Sequence, residues 1–172
     1  MYIIVGLGNP GEEYAHTRHN TGRLTLVYLE KKELKGLKFV HLDTFMNKSG
    51  EGVKKILGIK ADLPAEARRA KAGKLIVIHD DLDLPLGGLK ISYGRGSGGH
   101  KGVESIIKAI KTKDFIRIRI GIGKKGEAEK YILGQFKKSE MEVLKKVFKK
   151  ANDAVQMIVE EGLAPAMTEF NA

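Results

Sequence analysis

The sequence predicts an α/β fold with a mixed, twisted sheet flanked by helices, on three features. Residues 74–79 (KLIVIH) are an unbroken apolar run with the length of a buried strand. Residues 115–122 alternate strictly, with Ile116, Ile118, Ile120 and Ile122 to one side and Arg117 and Arg119 to the other. Beyond Ser139, the residues Met141, Leu144, Phe148, Ala151, Val155 and Ile158 share one helical stripe. Strands and helices alternate along the chain, the order of a parallel or mixed sheet. The 172 residues suit a single domain, 1–172.

Residues 2–5 are a short apolar strand broken by Gly6. Leu24, Val27, Tyr28 and Leu34 recur at helical spacing over 21–34. A short strand is expected over 39–42, and Ser49 is expected to cap a helix over 51–57. The basic, alanine-rich stretch 61–73 reads as a loop that could hold a single helical turn. A second strand is placed at 89–93, a glycine-rich loop at 94–102 and a helix at 103–110. Ser139 and Glu142 form a capping box for the long helix, which Gly162 stops. Lys145, Lys146, Lys149 and Lys150 cluster mid-helix, largely off its apolar stripe.

Charge gives the first functional clue. Thirty-one Lys and Arg against 21 Asp and Glu leave a net charge of +10, which favours a polyanionic partner. Tryptophan is absent and aromatics are 6%, so contact with a phosphate backbone fits better than base stacking. Without cysteine there is no disulfide scaffold, cysteine nucleophile, thiolate zinc site or iron–sulfur cluster. The composition fits a reducing cytosol. No apolar run reaches the ~20 residues that span a bilayer, and MYIIVGLG is too short for a signal peptide.

Five motifs carry possible chemistry. Gly6-Leu-Gly-Asn-Pro-Gly11 has dinucleotide-fingerprint spacing, but Pro10 lacks the N–H that such a loop offers to phosphate. His16 and His19 are three apart, open to metal ligation, to a single general base, or to an ordinary surface pair. Thr44-Phe-Met-Asn-Lys-Ser-Gly50 places an apolar and an amide contact ahead of a helix. Asp80, Asp81 and Asp83 leave the end of a buried strand, where carboxylates need compensation. A divalent cation, orientation of an imidazole and a solvated acidic turn are all compatible with that cluster. Residues 94–102 bring five glycines with His100 and Lys101 toward a helix start, a setting for close approach of an anion, without P-loop spacing.

Together, in this order, these pieces resemble bacterial peptidyl-tRNA hydrolases: VGLGNPGEEYAHTRHNTG at 5–22, TFMNKSG at 44–50, IHDDLDLPLG at 78–87, GSGGHKG at 96–102 and FIRIRIGIGK at 115–124. The resemblance implies a cytoplasmic, monomeric enzyme, with no cofactor, metal or membrane contact. Its substrate would be peptidyl-tRNA, cleaved at the ester between peptide and 3′ ribose, so that tRNA from stalled translation is recycled. Carried over, His19 is the general base and Asp80 its orienting partner, with Asn9 in the catalytic set. Tyr14, Asn20, Met46, Asn47, Gly99, His100 and Lys101 bind substrate. Lys90, Arg119, Lys145 and Lys149 contact tRNA.

Three departures from the family pattern stand out. Lys101 replaces the family's Asn, and lysine cannot accept a hydrogen bond; activity is then reduced, or Lys101 holds a terminal phosphate. The stretch before Thr44 is short, implying a lost edge strand, and 61–73 is long and basic. The rival readings are a catalytically weak RNA-binding protein on the same scaffold and a dinucleotide-dependent oxidoreductase.

Overall fold

The computed structural model describes residues 1–172. Strands β1 (Tyr2–Gly6), β2 (Leu37–Val40), β3 (Leu75–Asp81), β4 (Leu89–Tyr93) and β5 (Ile116–Gly121) form one sheet in the order β2-β1-β3-β5-β4. All neighbours are parallel except β4, which runs antiparallel to β5. The expected mixed sheet is therefore present. The strand expected at 39–42 lies two residues earlier, with Tyr2 beside Leu37 and Val5 beside Val40. Nothing pairs outside β2, so the edge before Thr44 is narrow, as the short sequence there implied.

The alternation of the strands sorts the sheet into two faces. Ile4, Ile76, Ile78, Ile116, Ile118 and Ile120 pack under helices α1 (Thr21–Glu30), α6 (Lys138–Glu161) and α7 (Leu163–Phe170). Val5, Leu75 and Val77 meet α2 (Ser49–Ile56) and α4 (Lys101–Ile110) on the other face. That second core takes no side chain from β4 or β5. The arginines of β5 thus lie on a half of the sheet that α2 and α4 do not cover, with Arg117 buried and Arg119 partly exposed.

Several local expectations are corrected. Residues 61–73 contain a helix, α3 (Ala65–Ala72), and Arg68 is buried. Its guanidinium donates to the carbonyls of Leu63 (2.8 Å), Ala61 (2.7 Å) and Lys60 (3.3 Å). Ser49 is the first residue of α2 and its hydroxyl donates back to Met46 O (2.7 Å), so it caps nothing. The capping interaction of α6 sits two residues before the expected one: the Lys137 N–H donates to Glu140 Oε1 (2.8 Å). The first helix ends at Glu30, short of residue 34. Gly162, with φ 103°, does end α6.

Candidate active site

The chemistry-bearing residues meet where β3 ends. Close backbone approach makes this possible. A Cβ on Gly22 would lie 2.3 Å from the Ile78 carbonyl oxygen, so only glycine lets α1 start directly against β1 and β3. The single-turn helix Arg18–Asn20 just before α1 then holds His19 beside Asp80. Both are buried, at 6% and 2% exposure.

Asp80 is bound by two imidazoles. His19 Nδ1–H donates to Asp80 Oδ2 (2.8 Å) and His100 Nε2–H donates to Asp80 Oδ1 (2.8 Å). Burial by itself raises the carboxyl pKa, but the His100 and His19 imidazoles outweigh it and hold Asp80 well below the usual range. An ionised carboxylate only accepts, so both facing ring nitrogens carry protons. His19 Nε2 is left with a free lone pair. The other nitrogen of His100, Nδ1, accepts from the N–H groups of Gly102 (3.1 Å) and Val103 (3.3 Å), making His100 the N-cap of α4.

A second cluster of polar groups orients the amides. Asn9 N–H donates to Asn20 Oδ1 (2.8 Å), and Asn20 Nδ2 donates to Asn9 O (2.9 Å). Asn9 Oδ1 accepts from the Met46 N–H (2.8 Å). These partners fix both amide orientations and leave Asn9 Nδ2 as the unclaimed donor. Arg23 of α1 donates to the carbonyls of Leu42 and Thr44, tying down the segment that carries Met46.

His19 and Asp80 open into a cavity of about 860 Å³. Its lining includes His100 and the 94–101 loop, Lys113, Arg117, Arg119 and Lys124, with Ala128, Glu129 and Ile132 of α5 (Ala128–Leu133) opposite. The acidic cluster is dispersed among separate partners. Asp80 takes the imidazoles, Asp81 pairs with Arg119 (2.7 Å), and Asp83 pairs with Lys124 (3.3 Å).

Of the expected residues, His19, Asp80, Gly99, His100, Lys101 and Arg119 line this cavity, while Asn9, Asn20 and Met46 form the buried group beside it. Tyr14 is half-buried, edge-on to the exposed Phe45 at 6.3 Å. Asn47 is exposed. Lys101 is exposed and faces Glu129 of α5 at 3.8 Å. Lys90 is exposed and lies beside Arg119 across the β4–β5 ladder. Lys145 and Lys149 are exposed on α6, which covers the isoleucine face, and the fold does not bring them into the cavity.

The His16–His19 ligand pair is not formed, since His16 is exposed and His19 turns inward. The ligand-capable atoms of His19, Asp80 and His100 do lie within 4.8 Å of one another. They suit a metal poorly. A cation there would replace the N–H protons on both imidazoles, while His100 Nδ1 must stay unprotonated to cap α4, leaving an imidazolate. The residues after β1 also disfavour a dinucleotide: the chain enters the single-turn helix Glu12–Tyr14, and α1 begins only at Thr21.

Three participants escape a reading by motif. Arg18 is buried, with its guanidinium 4.2 Å from the Tyr131 ring centroid and 3.1 Å from Glu140, so it fastens α5 and α6 beside His19. His79 and Arg117 sit behind His100. The position of Arg117 on the alternating strand was the available signal. For Arg18 and His79 the signal was only adjacency to His19 and Asp80.

The family model described as peptidyl-tRNA hydrolase matches residues 3–41 and 30–172. A protein named peptidyl-tRNA hydrolase from Thermodesulfovibrio yellowstonii is 40% identical over 193 aligned positions, covering 99% of both chains. One of the same name from Fervidobacterium nodosum is 42% identical over 175 positions, covering 99% of this chain and 96% of the relative. Among solved structures, the peptidyl-tRNA hydrolase from Acinetobacter baumannii superimposes with a TM-score of 0.85 at 30% identity, covering 100% of this chain and 95% of the other.

Proposed function

The chain belongs to the peptidyl-tRNA hydrolase family, and on that premise we propose that it hydrolyses the ester between a peptide and the 3′ ribose of tRNA with His19 as general base. The observation that carries this is the His19–Asp80 pair at 2.8 Å, with His19 Nε2 free at the wall of a cation-lined cavity.

In the proposed reaction, His19 Nε2 takes a proton from water as the water oxygen attacks the ester carbonyl. Asp80 keeps the proton on Nδ1 and stabilises the imidazolium that forms. Asn9 Nδ2, whose partner oxygen is already engaged by Met46, is the donor to the developing oxyanion. The tetrahedral intermediate then expels the ribose 3′ oxygen, which receives the proton from His19. No serine or cysteine nucleophile enters, and the N–H groups that His19 and His100 turn toward Asp80 support chemistry without a metal.

Arg119, with Lys90 beside it, is assigned to the tRNA backbone, along with Lys101 at the mouth. Lys145 and Lys149 retain a tRNA role only if the bound tRNA reaches around to α6. Tyr14, Asn20, Met46, Asn47, Gly99 and His100 remain the proposed substrate wall. We read residues 1–172 as one domain acting as a monomer in the cytoplasm. No helix is long and apolar enough to cross a membrane.

The test is release of the blocked amino acid from an N-blocked aminoacyl-tRNA, with EDTA present and His19→Ala as control. The expected result is EDTA-resistant cleavage that falls about 10²- to 10⁴-fold in the variant, the usual contribution of a positioned base. A folded protein that binds the tRNA without cleaving it would replace this reading with an RNA-binding role.

A further inference from the structure

Three imidazoles gather at Asp80, two on its carboxylate and His79 on its backbone carbonyl, and the chemistry needs only one of them as base. The ring centroids of His100 and His19 are 5.0 Å apart, and those of His79 and His100 are 4.7 Å apart. The hydrogen bonds of His79 settle its tautomer. Nδ1 faces the Asp80 carbonyl oxygen at 2.7 Å, which can only accept, so Nδ1 carries the proton. Nε2 faces Arg117 Nη1 at 3.4 Å, which can only donate, so Nε2 is the bare nitrogen. The other end of the same guanidinium, Nη2, donates to Gly96 O (2.8 Å) and Arg95 O (3.5 Å). Arg117 therefore ties β5 to β3 and to the glycine-rich loop that ends in His100.

We infer that Arg117 and His79 are positioning residues for the proposed hydrolysis: they hold the loop and His100 so that His19 Nε2 is the only unclaimed imidazole lone pair beside Asp80. The lone pair of His79 is taken by Arg117, and that of His100 by the first N–H groups of α4. A water entering the cavity then finds one nitrogen able to accept its proton. Burial also opposes protonation of His79, as do the neighbouring His100 ring and the Arg117 charge, while the Asp80 carbonyl and carboxylate act the other way. Arg117 has no carboxylate within ion-pair distance, and burial with the neighbouring Arg119 and Arg95 pushes its pKa down to about 10. Its role is to direct N–H groups at neutral acceptors.

This inference rests on the hydrolase reading, and the test separates the two. In His79→Gln, Oε1 takes the place of Nε2 as acceptor for Arg117; His79→Leu offers none. Steady-state kinetics on an N-blocked aminoacyl-tRNA should show kcat falling about 10- to 100-fold in the leucine variant, with KM within about twofold, while the glutamine variant stays within about threefold of the parent. Histidine-ring nuclear magnetic resonance supplies a readout that needs no turnover. The parent should keep His79 neutral with the proton on Nδ1 through the range where free imidazole titrates. Arg117→Met should release Nε2, so that His79 titrates at higher pH than in the parent. Equal kcat in the glutamine and leucine variants, or an unchanged His79 titration in Arg117→Met, overturns the inference. If the parent cleaves nothing, the hydrolase reading fails instead, and the ring spectra still decide the lone-pair assignment.

Discussion

At the scale of single residues, the site is defined by which nitrogen holds which proton, and this has a thermodynamic consequence. His79 is held well below its ordinary pKa of 6.5, first by burial and then by the neighbouring His100 ring and the Arg117 charge. Below pH 6.5 the unfolded chain binds a proton there that the folded chain refuses, so stability falls as pH drops. The slope from this residue approaches about 1.4 kcal/mol per pH unit. Asp80 acts in the same direction further into acid: its lowered pKa contributes stability above the ordinary carboxylate value, lost as pH falls through the folded one. Urea unfolding at about pH 7 and about pH 5 should show a loss of stability that shrinks in His79→Gln by up to about 1.4 kcal/mol per pH unit. Identical pH dependence in parent and variant would remove His79 as the cause. Asp80 stood out in the sequence because a carboxylate at the end of a buried strand must be compensated, whereas its pairing with His19 came from the family resemblance, the residues alone leaving a cation, an imidazole and a solvated turn open. His79 read as the end of that strand because its partner, Arg117, is 38 residues away. Linear spacing carries no signal for a bond of that kind.

At the scale of elements, the strongly periodic segments were readable and the junctions were not. Val77 and the isoleucines of β3 and β5 announce their faces by apolar content alone. Helix α3 does not, because its inward residues are the small Ala72 and Arg68, which looks like surface charge until its three carbonyl acceptors are known. The α6 capping residue was misplaced for a related reason: Glu140 serves both Lys137 N–H and Arg18, and the second partner is tertiary. Arg68→Ala should therefore cost about 1–3 kcal/mol, the penalty for leaving buried acceptors unpaired, measured as a lower urea midpoint. A variant as stable as the parent would mean that solvent reaches those carbonyls. The α2–α4 contact is equally exacting. A Cβ on Gly50 would sit 2.1 Å from the Ser105 carbonyl oxygen, so Gly50→Ala should destabilise by at least the ~1–3 kcal/mol typical of overpacking.

At the scale of the whole molecule, a charge of +10 meets a sheet half uncovered by helices. Arg119 emerges there, with Arg117 buried beside it, so the positive surface and the reactive imidazole open into one cavity. Binding should release counterions, and log KM for a tRNA ester should rise linearly with log salt while kcat changes little. Lys101 occupies the cavity mouth, exposed and only loosely paired with Glu129 at 3.8 Å. Lys101→Asn should lower the salt slope by about 0.7–1, one phosphate contact's share. An unchanged slope would assign Lys101 to the α4–α5 pairing alone. The overall sheet was legible because strand and helix patterns alternate. The uncovered half was not, because it depends on where α2 and α4 come to rest.

The cap on α4 gives the molecule an internal gauge. His100 spends one nitrogen on the helix and the other on Asp80. A proton added to that imidazole would therefore fray the first turn of α4. The amide hydrogens of Gly102 and Val103 would then exchange with solvent faster, so their exchange rates record the wiring of the reactive centre when no substrate is bound.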